Sequence, residues 1–308
     1  MPQGLRYLWR LAMSERLDSF IDDAFLKQLE KLKIVTRKST RNPRRGEYRS
    51  WQSGEGFEFL DFRKYQLGDD LRYVDWSVYG RLDKLFIKLF HAEKGQTAHI
   101  LLDMSRSMGS GTPSKDITAK KIGAALSYIC LSNLDKTGLM AFNNQIVKIK
   151  TPARGKKQYL EVLKFFESLK PSDQTNLNGS LKDYAAICKN PGIAIIISDF
   201  FDPRGYEDGL KALAYRDFDI NLIQVMDHEE LYWSKTGNLQ LNDCETGEKK
   251  VTFIDKNLLA LYRKKISVFM AGIKGYCNHY GMNYFLCDTR IPFENLLTDY
   301  LSKGALFR

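Results

Sequence analysis

The sequence predicts an α/β fold in which a doubly wound, mostly parallel sheet carries helices on both faces. From residue 98 onward, short apolar runs alternate with longer segments that have apolar residues at helical spacing. The run 193–198 is almost wholly β-branched, which is typical of the buried centre of a parallel sheet. Strand–helix alternation of this kind indicates crossover units that cover both faces of one sheet.

The elements of this main domain, residues 98–308, follow in order along the chain. We expect strands at 100–103, 138–142, 145–150, 193–198, 220–226 and 283–287. We expect helices at 115–134, 156–169, 181–188, 206–215, 258–280 and 293–301. Asn143 and Asn144 indicate a hairpin turn between the second and third strands. The polar segment 228–256 contains two glycines and predicts a small hairpin insertion.

Residues 1–53 are expected to form an N-terminal helix and a basic loop. Apolar residues recur at spacings of three and four from residue 5 to about 35. The stretch 31–49 holds eight basic residues and one acidic residue, and the net charge of the whole chain is +10. This stretch predicts a solvated or partner-facing loop, with binding of nucleic acid or an anionic membrane as the alternative.

Residues 54–97 predict an Arg- and Asp-rich β segment packed on the main domain. Phenylalanines alternate with charged residues at both ends of the segment, which suggests strands. Paired contacts between arginines and carboxylates are the structural interpretation of the charged centre. A role in shaping a binding face is the functional alternative. A catalytic carboxylate pair among Asp69, Asp70 and Asp75 would need a nucleophile or a base, which nothing in this segment supplies.

Composition bounds the class of protein. A hydrophobic content of 44% is that of a folded chain, and no apolar run approaches the ~20 residues that span a bilayer. Five cysteines without CxxC spacing favour reduced thiols over a disulfide framework or a zinc site. The N-terminus shows no secretory signal. We therefore expect a cytoplasmic protein, with peripheral membrane association as the alternative.

Oxygen-bearing side chains follow two of the expected strands. The first strand ends in Asp103, and Ser105 and Ser107 follow at alternate positions, while Asp199 follows the strand 193–198. Thr175 lies in a polar loop just before a helix. Adjacent parallel strands bring their carboxyl ends to one edge, so these groups can converge there. Carboxylate and hydroxyl oxygens suit Mg²⁺, with Mn²⁺ or Ca²⁺ as alternatives, whereas a single strand-end aspartate is more often a helix cap.

The set Asp-x-Ser-x-Ser at 103–107 with Thr175 and Asp199 resembles the metal-ion-dependent adhesion site of von Willebrand factor A (VWA) domains. The resemblance implies a VWA-like, Rossmann-like sheet and a bound Mg²⁺. It implies that Ser105, Ser107 and Thr175 are direct ligands. Asp103 and Asp199 would hold the metal directly or through water, and a partner's carboxylate would complete the coordination.

Two further motifs resemble a bacterial family known as domain of unknown function 58. The first is Arg63-x-Tyr65-x-x-Gly68-Asp69-x-x-Arg72-x-x-Asp75-Trp76-x-x-x-Gly80-Arg81 and the second is Asp243-Cys244-Glu245-Thr246-Gly247-Glu248. Gly80 and His91 depart from the usual pattern, outside the metal set. The resemblance implies a non-enzymatic adaptor that grips an acidic residue of a partner protein. It also implies that this adaptor works beside a MoxR-type AAA+ ATPase in folding, assembly or activation.

An enzyme is the main rival to the adaptor. A metal-dependent hydrolase could use Asp103, Asp199 and an upstream aspartate around the same Mg²⁺. Against it, hydroxyl ligands dilute the charge that activates a metal-bound water, and we expect no His or Lys base near these motifs. No residue is therefore assigned a catalytic role.

Overall fold

The structure is a computed structural model. It describes residues 58–66, 69, 71, 74–91, 97–132, 135–155, 157–242, 249–292, 295, 296 and 300. The predicted N-terminal helix, the basic stretch 31–49, the motif 243–248 and most of the helix expected at 293–301 lie outside these residues. The chain divides into two compact units, and the residues described up to 91 belong to the smaller of them.

The smaller unit contains an antiparallel pair of strands and one short helix. They are β1 (Glu58–Lys64), α1 (Trp76–Leu82) and β2 (Phe86–His91). The strands follow the alternation of the sequence, but the helix was not expected. Asp75 begins it, because its carboxylate accepts hydrogen bonds from the backbone N–H groups of Ser77 and Val78 at 2.9 and 3.2 Å.

Asp69 in this unit has the arginine partner that the structural interpretation of the segment expects. The Nη2 atom of Arg63 lies 2.8 Å from Oδ1 of Asp69, and the backbone N–H of Gln66 donates to Oδ2 at 2.8 Å. These bonds hold the pKa of Asp69 below its usual range. Asp69 and Asp75 therefore stabilise local structure, one through an arginine and one as a helix cap.

The larger unit is built on a six-stranded sheet. Its strands are β3 (Thr97–Asp103), β4 (Lys136–Phe142), β5 (Ile146–Arg154), β6 (Ile193–Ser198), β7 (Asp219–Met226) and β10 (Asn283–Asp288). Their order is β10-β7-β6-β3-β4-β5, and only β5 runs antiparallel to its neighbour. The predicted fold class, a mostly parallel α/β sheet, is confirmed.

A separate hairpin, β8 (Gly237–Asn242) and β9 (Lys249–Ile254), confirms the predicted insertion. The turn expected at Asn143 is also present, because the Asn143 N–H donates to the Gln145 carbonyl at 3.0 Å between β4 and β5.

The helices of this unit cover both faces of the sheet. They are α2 (Lys115–Ser132), α3 (Gln158–Glu167), α4 (Leu177–Ile187), α5 (Glu207–Tyr215), α6 (His228–Leu231) and α7 (Lys256–His279). Ile100 and Leu102 of β3 join the apolar cluster of α2 and α3, while Leu101 joins that of α4, α5 and α7. Alternate residues of a strand point to opposite faces, so β3 is buried along its whole length.

Helix α4 begins four residues earlier than the predicted residue 181. The side chain of Asn176 accepts a hydrogen bond from the Gly179 N–H at 3.1 Å and so caps the first turn. The earlier start matters for the site, because the polar loop that carries Thr175 now ends directly at a fixed helix terminus. In the described part of the chain, no helix combines the length and apolar character needed to cross a membrane.

Candidate metal centre

The two predicted acids lie at the ends of adjacent parallel strands. β3 ends at Asp103, β6 ends at Ser198 with Asp199 next in the chain, and these strands pair in parallel register. Both carboxylates are completely buried. Burying two carboxylates so close together is unfavourable unless hydrogen bonds or cations compensate them. The surroundings of each acid therefore decide what this edge can bind.

Asp103 is surrounded by hydroxyl groups. Its Oδ2 accepts from Ser198 Oγ at 2.6 Å and from Thr175 Oγ1 at 3.4 Å, and its Oδ1 accepts from the Ser105 N–H at 2.8 Å. The Oγ atoms of Ser105 and Ser107 lie 3.2 Å apart. The structure thus brings Asp103, Ser105, Ser107 and Thr175 into one buried group of oxygens.

Backbone hydrogen bonds bring Thr175 to this group from 72 residues away. The Ser172 N–H donates to the Met104 carbonyl at 2.9 Å, and the Arg106 N–H donates to the Asp173 carbonyl at 2.8 Å. The polar loop is therefore joined to the strand-end loop on both sides of Ser105. Met104 is buried, which anchors the strand-end loop from below.

Asp199 has a different partner, which the sequence interpretation missed. Nζ of Lys115 lies 2.7 Å from Oδ2 of Asp199 and 2.8 Å from Oε1 of Glu230. A lysine therefore lies beside the motifs, where the sequence interpretation expected no His or Lys base. Lys115 is the first residue of α2, where the helix dipole disfavours a cation. A lysine at the start of a predicted helix was therefore the one feature of the sequence that indicated an anionic partner for Lys115 elsewhere in the fold.

The charges of these groups act strongly on one another. Burial and the neighbouring Asp199 charge raise the pKa of Asp103 to about 7, against hydrogen bonds from Ser198 and Ser105 that lower it. Burial by itself would lower the pKa of Lys115, but the charges of Asp199 and Glu230 outweigh burial and raise it. Lys115 is therefore a charged ion-pair partner rather than a base available for hydrolysis.

The oxygen group fits a hard divalent cation. Neighbouring ligands of an octahedral Mg²⁺ with bonds of 2.0–2.1 Å lie about 2.9 Å apart. The separations of 3.2 Å between Ser105 Oγ and Ser107 Oγ and 3.4 Å between Thr175 Oγ1 and Asp103 Oδ2 are close to this value. Among the described residues, no cluster of three His, Cys, Asp or Glu side chains could hold a metal, so such a site would depend on hydroxyl ligands.

Three uncharacterized mycobacterial proteins are similar to this chain. Those of Mycobacterium bovis and Mycobacterium tuberculosis are 26% identical to it over 245 residues, which is 77% of this chain and 77% of each relative.

Similar solved structures include proteins from three bacteria. The conserved hypothetical protein BatB of Bacteroides thetaiotaomicron is 18% identical, with a TM-score of 0.42, over 68% of this chain and 99% of that chain. An aerotolerance-related membrane protein of Bacteroides fragilis is 17% identical, with a TM-score of 0.42, over 68% of this chain and 98% of that chain. The pilus adhesin SpaC of Lactobacillus rhamnosus GG is 13% identical, with a TM-score of 0.41, over 70% of this chain and 30% of that chain.

The family assignment comes from a match that covers most of the chain. The family model described as Protein of unknown function DUF58 matches residues 61–267, from strand β1 into helix α7. This range contains all five of the predicted site residues as well as Lys115 and Glu230. The chain therefore belongs to the DUF58 family.

Proposed function

We propose that this protein is a non-enzymatic adaptor that holds an acidic residue of a partner protein through a Mg²⁺-type adhesion site of the VWA kind. Asp103, Ser105, Ser107 and Thr175 would hold the metal. Asp199 would contribute its charge or act through water, because Lys115 already contacts one of its oxygens. The bound metal would supply an exchangeable coordination position for the partner's carboxylate.

One observation carries this proposal. Buried side-chain oxygens from two distant parts of the chain meet at the edge of the sheet, where Thr175 donates to Asp103 across 72 residues. A buried carboxylate whose own pKa is raised by its surroundings gains from a cation placed beside it. A hydroxyl-rich ligand set neutralises little of the metal's charge, which leaves the metal able to attract an anionic partner group.

The partner belongs to the same proposal. Resemblance of the motifs to the DUF58 family and its MoxR-associated relatives suggests a MoxR-type AAA+ ATPase, with the adaptor acting in protein folding, assembly or activation. Cytoplasmic localisation and an association with the membrane surface both stay predictions. Binding through the basic stretch 31–49 also stays a prediction, since those residues lie outside the described part of the chain.

Direct titration of the full chain with Mg²⁺ tests the metal site. After treatment with EDTA, we expect saturable binding by calorimetry in the wild type and a loss of at least about 100-fold in affinity for Asp103→Asn. Asp288→Asn is the matched control, because Asp288 also ends a strand at this edge but pairs with His228. Equal affinities for the wild type and Asp103→Asn would overturn the proposed site.

Capture of a purified MoxR-type ATPase from the same organism tests the adaptor role. We expect immobilised wild-type protein to retain the ATPase in Mg²⁺ and to lose it in EDTA. We expect immobilised Asp103→Asn to fail to retain the ATPase even in Mg²⁺. If the ATPase is retained equally well in EDTA and by Asp103→Asn, the mechanism is not metal-bridged. Release of phosphate or of an ester product that depends on Asp103 would favour the hydrolase instead.

A further inference from the structure

Lys115, Asp199 and Glu230 form an ion cluster beside the proposed metal site, in which Lys115 and Asp199 are buried and Glu230 is partly exposed. The Lys115 side chain is 1% exposed and that of Asp199 is 0% exposed, with 2.7 Å between Nζ and Oδ2. An ammonium group buried this deeply loses its hydration, and only anions at hydrogen-bond distance compensate the loss. The pair of Lys115 and Asp199 is thus an internal part of the fold, unlike a surface ion pair.

Glu230 is held in place as the second partner of Lys115. Its Oε1 lies 2.8 Å from Lys115 Nζ, while its Oε2 accepts from the Asp227 N–H at 3.0 Å as part of the capping box of α6. The backbone carbonyl of Glu230 accepts from the Tyr262 hydroxyl of α7 at 2.9 Å. Because these bonds fix Glu230 independently of Asp199, Lys115 keeps one anionic partner if Asp199 is drawn elsewhere.

The charges of the edge sum to a value that suits a divalent cation. Asp103, Asp199 and Glu230 supply three carboxyl groups, and Lys115, which contacts two of them, supplies one ammonium. Once a bound metal holds Asp103 ionised, the four groups together carry two negative units, which one divalent cation would neutralise. The same divalent cation would repel Lys115, since like charges interact strongly in a buried environment. Lys115 and a bound divalent cation would therefore compete for the Asp199 carboxylate.

We propose that Lys115 is a built-in competitor of the divalent metal: its ammonium neutralises Asp199 in the metal-free protein, and metal binding draws Asp199 away and leaves Lys115 paired with Glu230. This inference rests on the function proposed above and adds a residue that sets the metal affinity. In the absence of a metal, Lys115 compensates Asp199, so Asp103 and Asp199 are not both buried carboxylates without a cation, at the expense of weaker metal binding.

Lys115→Met in the full chain tests the competition, because methionine keeps an apolar stem of similar length without the charge. We expect Mg²⁺ to bind about tenfold more tightly or better, measured by calorimetry after EDTA treatment. We also expect a lower urea midpoint in EDTA, which added Mg²⁺ raises more than in the wild type. Unchanged or weaker Mg²⁺ binding by the folded variant would overturn the inference.

Lys120→Met is the matched control for loss of a buried lysine from the same helix. Lys120 pairs with Asp116 at 2.8 Å and donates to the Leu169 carbonyl at 2.9 Å, and neither partner belongs to the proposed site. We expect this variant to lose stability while its Mg²⁺ affinity stays within about twofold of the wild type. A gain in affinity as large as that of Lys115→Met would contradict a specific role for Lys115.

Glu230→Gln keeps the inference testable if Lys115→Met does not fold. Glutamine preserves the capping-box geometry at this position, but Lys115 then has Asp199 as its one remaining anionic partner in the cluster. We expect Mg²⁺ to bind about tenfold more weakly than to the wild type. Equal or tighter binding would overturn the inference.

The outcomes separate this inference from the proposed function. Binding of Mg²⁺ by Lys115→Met but not by the wild type supports the competition and overturns the metal-dependent function of the native site. Binding by the wild type with no gain in Lys115→Met overturns the competition and leaves the proposed function in place. If neither protein binds Mg²⁺, both are overturned.

Discussion

Four adjacent strands of the sheet carry an aspartate at the same edge, yet these aspartates have two different kinds of surroundings. They are Asp103 at the end of β3, Asp199 after β6, Asp227 after β7 and Asp288 at the end of β10. The first two are completely buried and meet hydroxyl groups from a distant loop and a buried ammonium. The partners of the other two are backbone N–H groups, a threonine hydroxyl and a partly exposed histidine.

Asp227 and Asp288 organise the loops next to them. Asp227 accepts from the Glu229 N–H at 3.2 Å and caps α6. Asp288 pairs with His228 at 2.8 Å, and the histidine side chain is 33% exposed. A strand-end aspartate is therefore uninformative by itself. What distinguishes the β3–β6 half of the edge is that its two acids are completely buried, one among hydroxyl groups and the other against a buried ammonium.

The largest expected effect comes from breaking the buried ion pair. Asp199→Ala leaves Lys115 buried with Glu230 alone, and we expect the free energy of unfolding to fall by about 3–5 kcal/mol. Urea denaturation in EDTA measures it. The double variant Asp199→Ala/Lys115→Met should recover part of the loss, because it removes a buried cation that Glu230 alone then compensates. A double variant that is less stable than the sum of the two single changes would contradict this account.

The strand that ends in Asp103 also carries a histidine whose effect on stability depends on pH. Burial lowers the pKa of His99 from 6.5 to about 4, partly opposed by its bond to the Asn190 carbonyl. Between these values the unfolded chain binds a proton that the folded chain does not, so stability falls as pH falls. The loss from pH 6.5 to 4 is about 3 kcal/mol, and above pH 6.5 the contribution is constant.

Comparison with His99→Gln isolates this effect from the titration of carboxylates. The difference in the free energy of unfolding between the wild type and the variant, measured in urea at pH 7.5, 5.5 and 4.5, should shrink as the pH falls. A difference that is constant over this range would show that His99 is not held neutral.

Ser198→Ala should have a smaller effect on the same half of the edge. It removes the 2.6 Å donor to Asp103 Oδ2 and the acceptor of the Phe200 N–H. We expect a loss of about 1–3 kcal/mol in unfolding free energy, since two buried polar groups lose a partner. Ser198→Thr retains the hydroxyl and serves as the control. Equal destabilisation by both changes would point to packing rather than to hydrogen bonding.

Asp227→Ala should have the smallest effect of the series. It removes the cap of α6 and the acceptor of the Thr289 hydroxyl, which lies 3.1 Å from Asp227 Oδ1. We expect a loss of about 1 kcal/mol, by urea denaturation. Asp227→Asn, which still caps a helix, should lose less. A loss as large as that of Asp199→Ala would mean that the two halves of the edge do not differ as described.

Much of the fold could be predicted because strand patterns are local. The run 193–198 matches β6, and the alternation that begins at residue 98 gives the crossover order of the parallel sheet. Helix α1 was missed, since seven residues without a buried side chain provide no apolar period to detect. The predicted start of α4 was four residues too late, because Asn176 was not recognised as the cap of the helix within a loop of polar residues.

The sequence alone determined which acids end the central strands, because an apolar run that stops at a carboxylate is visible in a few consecutive letters. It also placed Ser105, Ser107 and Thr175 in loops, and its motifs identified the family. Only the tertiary structure decided that Lys115 meets Asp199 and Glu230, 84 and 115 residues away. Coulomb attraction and burial act through space, so no periodicity or spacing along the chain encodes such a contact.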